Sequence, residues 1–300
     1  MYFQPITLAD KYIIQSFTLK SHSKSCYLTF SNLYCWGSFY GTEYAVENGQ
    51  LFFRYMYDNK YVYFVPIHNG DNKESLHKLL QEAINSQKPF LLQCLDTDVC
   101  RIFDSIMPNG FAWAVDRDMS EYLYNRSDLE NLKGKKFQSK RNHVNHFLRS
   151  FPDYEYLTLT PEIIPECLAL ERQWRKNAEE QETAEEAESI ELEHNALKCA
   201  FDNFVELDLT GAAICVKGKI VAFTFGAPIN DNVFDICVEK ADTNIIGSYA
   251  IINQQFARRI PQRFNYINRE EDLGVQGLRK AKLSYNPVAL VEKFVGKMKD

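Results

Sequence analysis

The sequence lacks the features that mark several common classes of protein. None of its eight cysteines forms a C-x-x-C pair, and most lie in apolar segments, so we expect buried, reduced thiols and no metal site. No segment approaches the ~18 consecutive apolar residues that a membrane span needs. The opening residues MYFQPITLADKYIIQSF contain no basic stretch followed by an apolar one. We therefore expect a soluble, cytoplasmic protein without a membrane span.

The composition is that of a globular protein. Hydrophobic residues make up 45% of the 300 residues, aromatic residues 14% and charged residues 25%, which excludes disordered and collagen-like classes. The length suits two domains of ordinary size. The formal net charge of −6 argues against a protein that coats nucleic acid, and we expect no DNA partner.

Positive charge is nevertheless concentrated in one segment. Residues Lys133–Arg149, KGKKFQSKRNHVNHFLR, contain six Lys or Arg and no acid, whereas Asn177–Glu193 contains eight Glu and no Lys or Arg. At helical spacing Lys136, Lys140 and His143 share a face of the basic helix. An ordinary solvated face mixes Glu with Lys to gain i,i+4 pairs, so the missing acid favours an anionic partner. A merely solvated face is the alternative.

Hydrophobic periodicity predicts an α+β protein. In the first half we expect strands at Gln50–Tyr57 and Tyr61–Ile67, a helix capped by Asp71 or Asn72, a strand PFLLQCL and a helix near Asp98–Ile106. In the second half we expect helices at Lys135–Ser150, Glu162–Lys176, Ile190–Phe204, Gly247–Ile260 and Val275–Ser284. The predicted strands there are Val205–Leu209, Gly211–Val216, Lys219–Ala227, Asn232–Val238, Phe264–Ile267 and Val288–Val295. The quick succession of strands predicts an antiparallel meander. This order of elements resembles the GNAT acyltransferase fold.

A possible anion site lies where a loop enters a helix, in the segment N-x-x-G-S-Y. The first turn of a helix exposes backbone N–H groups that bind phosphate, Gly247 permits close approach, and Ser248 adds a hydroxyl next to Tyr249. GNAT enzymes hold the pyrophosphate of coenzyme A at the corresponding place, with a tighter motif. The alternative is an ordinary helix start with a small residue for packing.

The second candidate site is INREEDLGVQGLRKAKLSYNP, residues Ile267–Pro287. Glu271 and Asp272 follow a short strand, and Arg279 and Lys282 are neighbours on one face of the next helix. The two cations either grip a phosphorylated ligand or pair with the carboxylates. A salt-bridged junction between strand and helix is therefore the alternative to a ligand site.

Two motifs resemble those of a known family. The pattern G-L-R-x-x-K-x-x-x-x-P matches Gly277, Leu278, Arg279, Lys282 and Pro287, and the earlier K-x-x-x-K-R-N matches Lys136, Lys140, Arg141 and Asn142. Both resemble the C-terminal domain of phosphatidylglycerol lysyltransferases and cover mainly residues from about 120 to 300. The resemblance implies two tandem GNAT-like domains with mixed, largely antiparallel sheets, as in the Fem-type peptidyltransferases. We place the boundary at 134, with a degenerate domain 1–134 and a donor-binding domain 135–300.

The resemblance also implies a function, namely transfer of an acyl or aminoacyl group from a phosphorylated donor to an amine or hydroxyl. The donor would be aminoacyl-tRNA, bound by its acceptor end, or an acyl-CoA, with no tightly bound cofactor. We expect Glu271 and Asp272 to orient or deprotonate the acceptor and Tyr285 to protonate the leaving group. The residues expected to bind the donor are Lys136, Lys140, Arg141, Asn142, Gly247, Ser248, Tyr249, Asn268, Arg279 and Lys282.

Two other functions remain open at the level of sequence. One is a catalytically silent module that uses the same cleft to sense a nucleotide or an acyl carrier. The other is a plain acetyl-CoA-dependent N-acetyltransferase, which the loose donor loop favours less. Fold resemblance alone does not separate the three.

Overall fold

The structure is a computed structural model that describes residues 1–67, 73–94, 97–179 and 184–299. In these ranges the strands form two seven-stranded sheets. The strands are β1 Gln4–Pro5, β2 Glu43–Glu47, β3 Gln50–Tyr57, β4 Lys60–Ile67, β5 Phe90–Cys94, β6 Phe111–Val115, β7 Glu121–Asn125, β8 Glu155–Thr158, β9 Thr210–Val216, β10 Lys219–Pro228, β11 Val233–Ala241, β12 Tyr266–Asn268, β13 Ala289–Val291 and β14 Phe294–Met298.

The helices cover the outer faces of the sheets and the space between them. They are α1 Lys11–Thr18, α2 Phe30–Cys35, α3 Gly37–Tyr40, α4 Lys73–Asn85, α5 Thr97–Ile106, α6 Arg126–Asn131, α7 Gln138–Ser150, α8 Ile164–Glu179, α9 Ala184–Asp202, α10 Ser248–Ala257 and α11 Gln276–Leu283. Within the described ranges, no helix has the length and apolar character needed to cross a bilayer. The proposed cap at Asp71 or Asn72 lies outside the described residues.

Both sheets are mixed and largely antiparallel, as predicted. The first has the order β1-β2-β3-β4-β5-β14-β6, and the second has the order β13-β7-β12-β11-β10-β9-β8. The parallel neighbours are β4 with β5 and β11 with β12. Asp58 and Asn59 connect β3 to β4 with φ of 48° and 56°, as a tight hairpin turn requires.

The two sheets contain strands from both sides of the proposed boundary. Strand β7 and helix α6 precede residue 134 but belong to the second sheet and its core, whereas β14 follows it and lies between β5 and β6. The single predicted strand Val288–Val295 is therefore two strands, because the chain changes sheets at residues 292–293. A domain boundary at 134 stays a prediction.

The antiparallel meander is confirmed as β9-β10-β11, but it begins later than predicted. The strand predicted at Val205–Leu209 is wrong, since these residues form turns after α9. Leu207 and Leu209 are buried as the pattern suggests, yet Val205 is 63% exposed and Asp208 has a φ of 52°. The alternation of apolar and polar residues in this segment arises from the packing of a turn and not from the pleat of a β-strand.

One hydrophobic core is shared by residues from both halves of the chain. It joins Phe53 and Phe64 of the first sheet, and Leu33 of α2, to Phe201 of α9 and Phe223 of the second sheet. Two further cores lie on the outer faces, one under α4 and α5 and the other under α6, α7 and α10. Burial of apolar surface therefore holds the halves together.

The second sheet opens between two of its strands. β11 and β12 pair in parallel only from Val233↔Tyr266 to Asp235↔Asn268, after which β11 continues to Ala241. The chain beyond Asn268 stays bonded to β7 instead, through Arg269 N to Tyr122 O (3.0 Å) and Tyr122 N to Glu270 O (3.1 Å). The resulting cleft lies between the second half of β11 and residues 269–272.

Candidate functional site

An ion pair with unused hydrogen-bonding capacity lies in the cleft between β11 and residues 269–272. Arg269 Nη2 donates to Glu239 Oε1 (2.8 Å), and Asn253 Nδ2 donates to Glu239 Oε2 (3.0 Å). Arg269 Nη1 and Asn253 Oδ1 are buried without a hydrogen-bond partner among the described residues. A buried donor of this kind costs free energy unless a ligand or water satisfies it. The cleft therefore offers an N–H group to an incoming acceptor.

Lys140 brings a second positive charge to the same place. Its Nζ lies 3.9 Å from the centre of the Tyr285 ring, and the Arg269 guanidinium lies 4.7 Å from that ring. No carboxylate in the described part of the chain forms an ion pair with Lys140. Burial and the neighbouring Arg269 lower the pKa of Lys140 to about 8. Two cations thus face one carboxylate, that of Glu239, and this arrangement suits an anionic ligand.

The predicted proton donor Tyr285 is buried between these cations. Burial raises the pKa of its phenol well above the usual value, and Arg269 partly opposes that shift. The phenol is consequently protonated at neutral pH. The role of Tyr285 as proton donor to the leaving group stays a prediction.

Asp272 is held by a dense set of donors. Its fully buried carboxylate accepts five hydrogen bonds, from Arg279 Nε (2.9 Å) and Nη2 (2.6 Å), Tyr122 Oη (2.5 Å), Arg117 Nη1 (3.2 Å) and Gly274 N (3.0 Å). Desolvation alone would raise the pKa of Asp272, but the hydrogen bonds from Arg279 and Tyr122 hold it well below the usual range. A carboxylate so stabilised is a weak base. This geometry fits the salt-bridged junction, and the catalytic role of Asp272 stays a prediction.

The predicted donor ligands Arg279 and Lys282 are engaged by the protein itself. Arg279 Nη2 also donates to Asp118 Oδ1 (2.6 Å), so its fork spans two carboxylates. Lys282 is buried, and its Nζ donates to the main-chain carbonyls of Arg269 (2.6 Å) and Glu271. Both side chains fix the path of residues 269–272. Their contact with a donor stays a prediction.

The remaining predicted donor residues are spread around α7 and the start of α10. Lys136 pairs with Asp128 (3.1 Å), Arg141 Nη1 donates to the carbonyls of Leu132 and Gly134, and Asn142 is exposed. Only Lys140 of this basic helix faces the cleft.

Gly247 brings α10 against α7. Its φ is +93°, and an added Cβ would lie 2.3 Å from the His143 carbonyl oxygen. Ser248 Oγ donates to Asp242 O (2.8 Å), and Tyr249 is half-buried with a pKa that burial raises to about 12. The close approach explains the glycine by packing alone. Binding of a phosphate at this helix start therefore stays a prediction.

A cluster of acidic side chains lies behind the cleft, where both sheets meet. We call it the carboxyl cluster, and its members are Cys26, Glu121, Asp235, Glu270 and Glu271. Glu121 is fully buried and accepts hydrogen bonds from Ser25 Oγ (2.5 Å), Cys26 N (2.7 Å) and Asn268 Nδ2 (2.5 Å), and Lys293 Nζ lies 3.0 Å from its Oε1. Asn268, predicted to bind the donor, thus orients Glu121.

Burial changes the pKa values of members of this cluster, including Glu270 and Asp235. It raises the pKa of Glu270 to about 8, with Glu271 adding to the shift, and it raises the pKa of Asp235 well above the usual value. Glu270 has a φ of 56° and accepts from Asn32 Nδ2 (2.9 Å). Sequence reasoning missed Cys26, Glu121, Asp235 and Lys293, because no local spacing connects them.

A shallow depression of about 520 Å³ lies elsewhere, between α4 and α5. It is lined by Lys73, Glu74, His77, Ser105 and Ile106, and none of the predicted site residues borders it. The chemistry is thus concentrated at the cleft and the carboxyl cluster.

Solved structures of other proteins share the fold of this chain. In a conserved protein of unknown function from Bacteroides thetaiotaomicron, 47% of residues are identical, 99% of both chains are covered and the TM-score is 0.92. L-PGS from Bacillus licheniformis has the same fold at 15% identity, with a TM-score of 0.67 and coverage of 97% and 92%. FemX matches at 11% identity with a TM-score of 0.50 over 100% and 98% of the chains. The predicted tandem GNAT-like fold is thereby confirmed.

Sequence comparison gives the family. An uncharacterised protein of Mycoplasmoides gallisepticum is 24% identical over 182 residues, which are 60% of this chain and 56% of that protein. The chain therefore spans little more than half the length of this curated relative. The model of the family "Phosphatidylglycerol lysyltransferase, C-terminal" matches residues 20–296. The chain belongs to that family, as its two motifs suggested.

Proposed function

We propose that this member of the phosphatidylglycerol lysyltransferase C-terminal family transfers an acyl or aminoacyl group from a phosphorylated donor to an amine or hydroxyl. The family and the fold support a transferase. The observation that carries the proposal is the pair of cations in the cleft. Lys140 has no ion pair in the described part of the chain, and Arg269 Nη1 is a buried N–H donor without a partner there.

The donor's anionic end binds between Lys140 and Arg269. Phosphate oxygens satisfy the unused Arg269 N–H and neutralise Lys140, whose ammonium gains little from its present contact with Tyr285. Arg269 is held in place by Glu239, so little conformational entropy is lost on binding. Aminoacyl-tRNA, presenting its acceptor end, and acyl-CoA both carry the phosphate that this arrangement requires.

Acyl transfer at this place needs positioning and two proton movements. The acceptor nitrogen or oxygen attacks the donor carbonyl carbon, a new C–N or C–O bond forms, and the ester or thioester bond breaks. Glu271, whose carboxylate belongs to the carboxyl cluster behind the cleft and lies 3.7 Å from Lys293 Nζ, takes the acceptor's proton. Tyr285 donates a proton to the leaving oxygen or sulphur. The positive charges nearby stabilise the developing negative charge.

Equilibrium binding tests the donor site. Acetyl-CoA, a long-chain acyl-CoA and an aminoacyl-tRNA are each added to the parent protein and to Lys140→Met, which keeps the aliphatic contact with Tyr285. Loss of one charge-assisted contact should weaken binding of the true donor about tenfold, from roughly 1.4 kcal/mol of interaction. Lys135→Met is the matched control, because Lys135 is an exposed lysine five residues earlier in the same basic segment.

The outcomes separate the competing functions. Equal affinity of the parent and Lys140→Met for a confirmed donor would contradict the proposed site. Binding of CoA thioesters alone would favour a plain N-acetyltransferase. Donor binding without transfer would favour the silent module. One observation also favours that module, because Asp272 and Arg279 are hydrogen-bonded to each other and Lys282 to the main chain.

A further inference from the structure

We propose that Cys26, Asp235 and Glu270 form a binding site for one divalent cation of the Zn²⁺ type. The three residues come from an N-terminal turn, from β11 and from the segment after β12. One possible ligand atom of each, a thiol sulphur or a carboxylate oxygen, lies within 4.8 Å of the other two. Ligand atoms of one zinc ion, bound at about 2.3 Å for sulphur and about 2.0–2.2 Å for oxygen, lie at most about 4.5 Å apart, so the three atoms need only a small approach to reach it.

An unsatisfied atom in this triad points to a ligand. Asp235 is 0% exposed, and its Oδ1 has no hydrogen-bond partner among the described residues. Asp235 Oδ2 accepts weakly, from Asn32 Nδ2 at 3.3 Å and from the Cys237 thiol at 3.5 Å. A buried carboxylate oxygen without a donor is costly, and metal coordination is one of the few ways to satisfy it.

The neighbouring triad shows what the first one lacks. Cys26, Glu121 and Glu271 also converge within 4.8 Å, but there Lys293 supplies a cation, with its Nζ 3.0 Å from Glu121 Oε1 and 3.7 Å from Glu271 Oε2. No Lys or Arg of the described ranges forms an ion pair with Asp235 or Glu270. Lys282 acts on Glu270 only through space, because its ammonium donates to the main-chain carbonyls of Arg269 and Glu271. The triad of Cys26, Asp235 and Glu270 therefore has ligands for a cation but no ion-pair partner among the described residues.

The donor set favours zinc over a hard ion or an organic amine. A thiolate is a soft ligand that Mg²⁺ and Ca²⁺ avoid, whereas Zn²⁺ accepts sulphur together with carboxylate oxygen. A thiol adds nothing to recognition of an ammonium group. Cys26 is 1% exposed and Asp235 0% exposed, so a single ion suits the site better than an organic molecule.

Asn32 completes the arrangement. Its Nδ2 lies 3.1 Å from the Cys26 carbonyl, 3.3 Å from Asp235 Oδ2 and 2.9 Å from Glu270 Oε1, so one amide holds all three residues. An amide has only two N–H donors for these three acceptors. Rotation of the amide by half a turn presents its carbonyl oxygen to the same centre as a fourth ligand. Binding of the ion releases the protons carried by its ligands.

Metal titration tests the site. The untagged protein is stripped with a chelator and titrated with ZnCl₂ by calorimetry, and bound zinc is counted by mass spectrometry. We expect one zinc per chain and a rise in melting temperature. We also expect Co²⁺ to give a thiolate-to-metal absorption band, which reports Cys26 directly. Fewer than about 0.2 zinc per chain, or cobalt binding without that band, would refute the proposal.

Variants identify the ligands. Cys26→Ser and Glu270→Gln should each weaken zinc binding by at least about 100-fold, since loss of an outer partner alone costs about 10- to 100-fold. Cys215→Ser, which alters a buried thiol of β9 outside the cluster, should bind zinc like the parent. If Cys26→Ser does not fold, Glu270→Gln decides, because Glu270 is half-buried. Parent-like zinc affinity in Glu270→Gln would refute the assignment. Donor binding by the metal-free protein is measured separately, so failure here leaves the donor site untouched.

Discussion

The junction around Asp272 gives the most direct test of what the charged segment does. Replacing Asp272 by Asn keeps its size but removes the charge that Arg279 and Arg117 share. The Asn side chain must also place its NH₂ group, which can only donate hydrogen bonds, next to the arginine and main-chain N–H groups, which can only donate as well. The carboxylate is fully buried and accepts five hydrogen bonds, so the variant leaves several donors unsatisfied.

The expected loss is large for a single atom change. Breaking a buried ion pair by removing one partner typically costs about 3–5 kcal/mol. In a chain of this size, each kcal/mol lowers the melting temperature by roughly 1.5–2 °C, so we expect Asp272→Asn to melt about 6 °C below the parent. Asp118→Asn is the matched control, because Asp118 pairs with the same Arg279 but is 56% exposed. Such exposed pairs contribute about 0–1 kcal/mol.

The dependence on pH gives a second readout. The folded state holds the pKa of Asp272 below its ordinary value of 3.8, so around that pH the unfolded chain binds more protons. Stability from this group is fully present above about pH 4 and is lost as the pH falls further. The gap in melting temperature between parent and Asp272→Asn should therefore be constant at neutral pH and shrink in acid. A melting temperature within 2 °C of the parent at pH 7 would refute the structural role.

Three further predictions follow from the same contacts. The lowered pKa of Lys140 means that its charged form destabilises the folded state below about pH 8. Lys140→Met should therefore raise the melting temperature at pH 7, and this gain should vanish as the pH rises towards 10.5, the ordinary pKa of lysine. Gly247→Ala should lower the melting temperature and give poorly folded protein, because its Cβ would overlap the His143 carbonyl, whereas Gly218→Ala, also at positive φ but in open space, should cost less. A fragment of residues 135–300 should show no cooperative melt, because it lacks β7, which lies between β12 and β13.

Local patterns predicted the elements that form through near neighbours. The β3–β4 hairpin, the meander and the helices α7, α10 and α11 come from short-range periodicity and turn residues. The short strands β6 and β7 were not predicted, because each is placed by pairing with strands that are distant in sequence. The motif around Arg279 is therefore recognisable in sequence, whereas Arg117, which donates to the same Asp272 carboxylate, is not.

The site was harder to predict, because its chemistry depends on burial. Sequence suggests that Lys136, Lys140 and Arg141 act together, yet Lys136 pairs with Asp128 and Arg141 binds main-chain carbonyls. Lys140 differs from them only because Tyr285 and Arg269 surround it in three dimensions. The missing C-x-x-C pair argued against a metal site, but the proposed ligands are contributed by segments more than 30 residues apart.

Exchange of strands explains why the ionisable groups meet where they do. Because β7 leaves the first half to join the second sheet, Glu121 at its start reaches Asn268 at the end of β12. Because β14 returns to the first sheet, the connection after β13 carries Lys293 past Glu121 and Glu271. The ion pair of Glu121 from the first half with Lys293 from the second therefore forms only when both halves are folded together. The carboxyl cluster therefore ties folding of the two halves to the geometry of residues 269–272, which form one wall of the cleft.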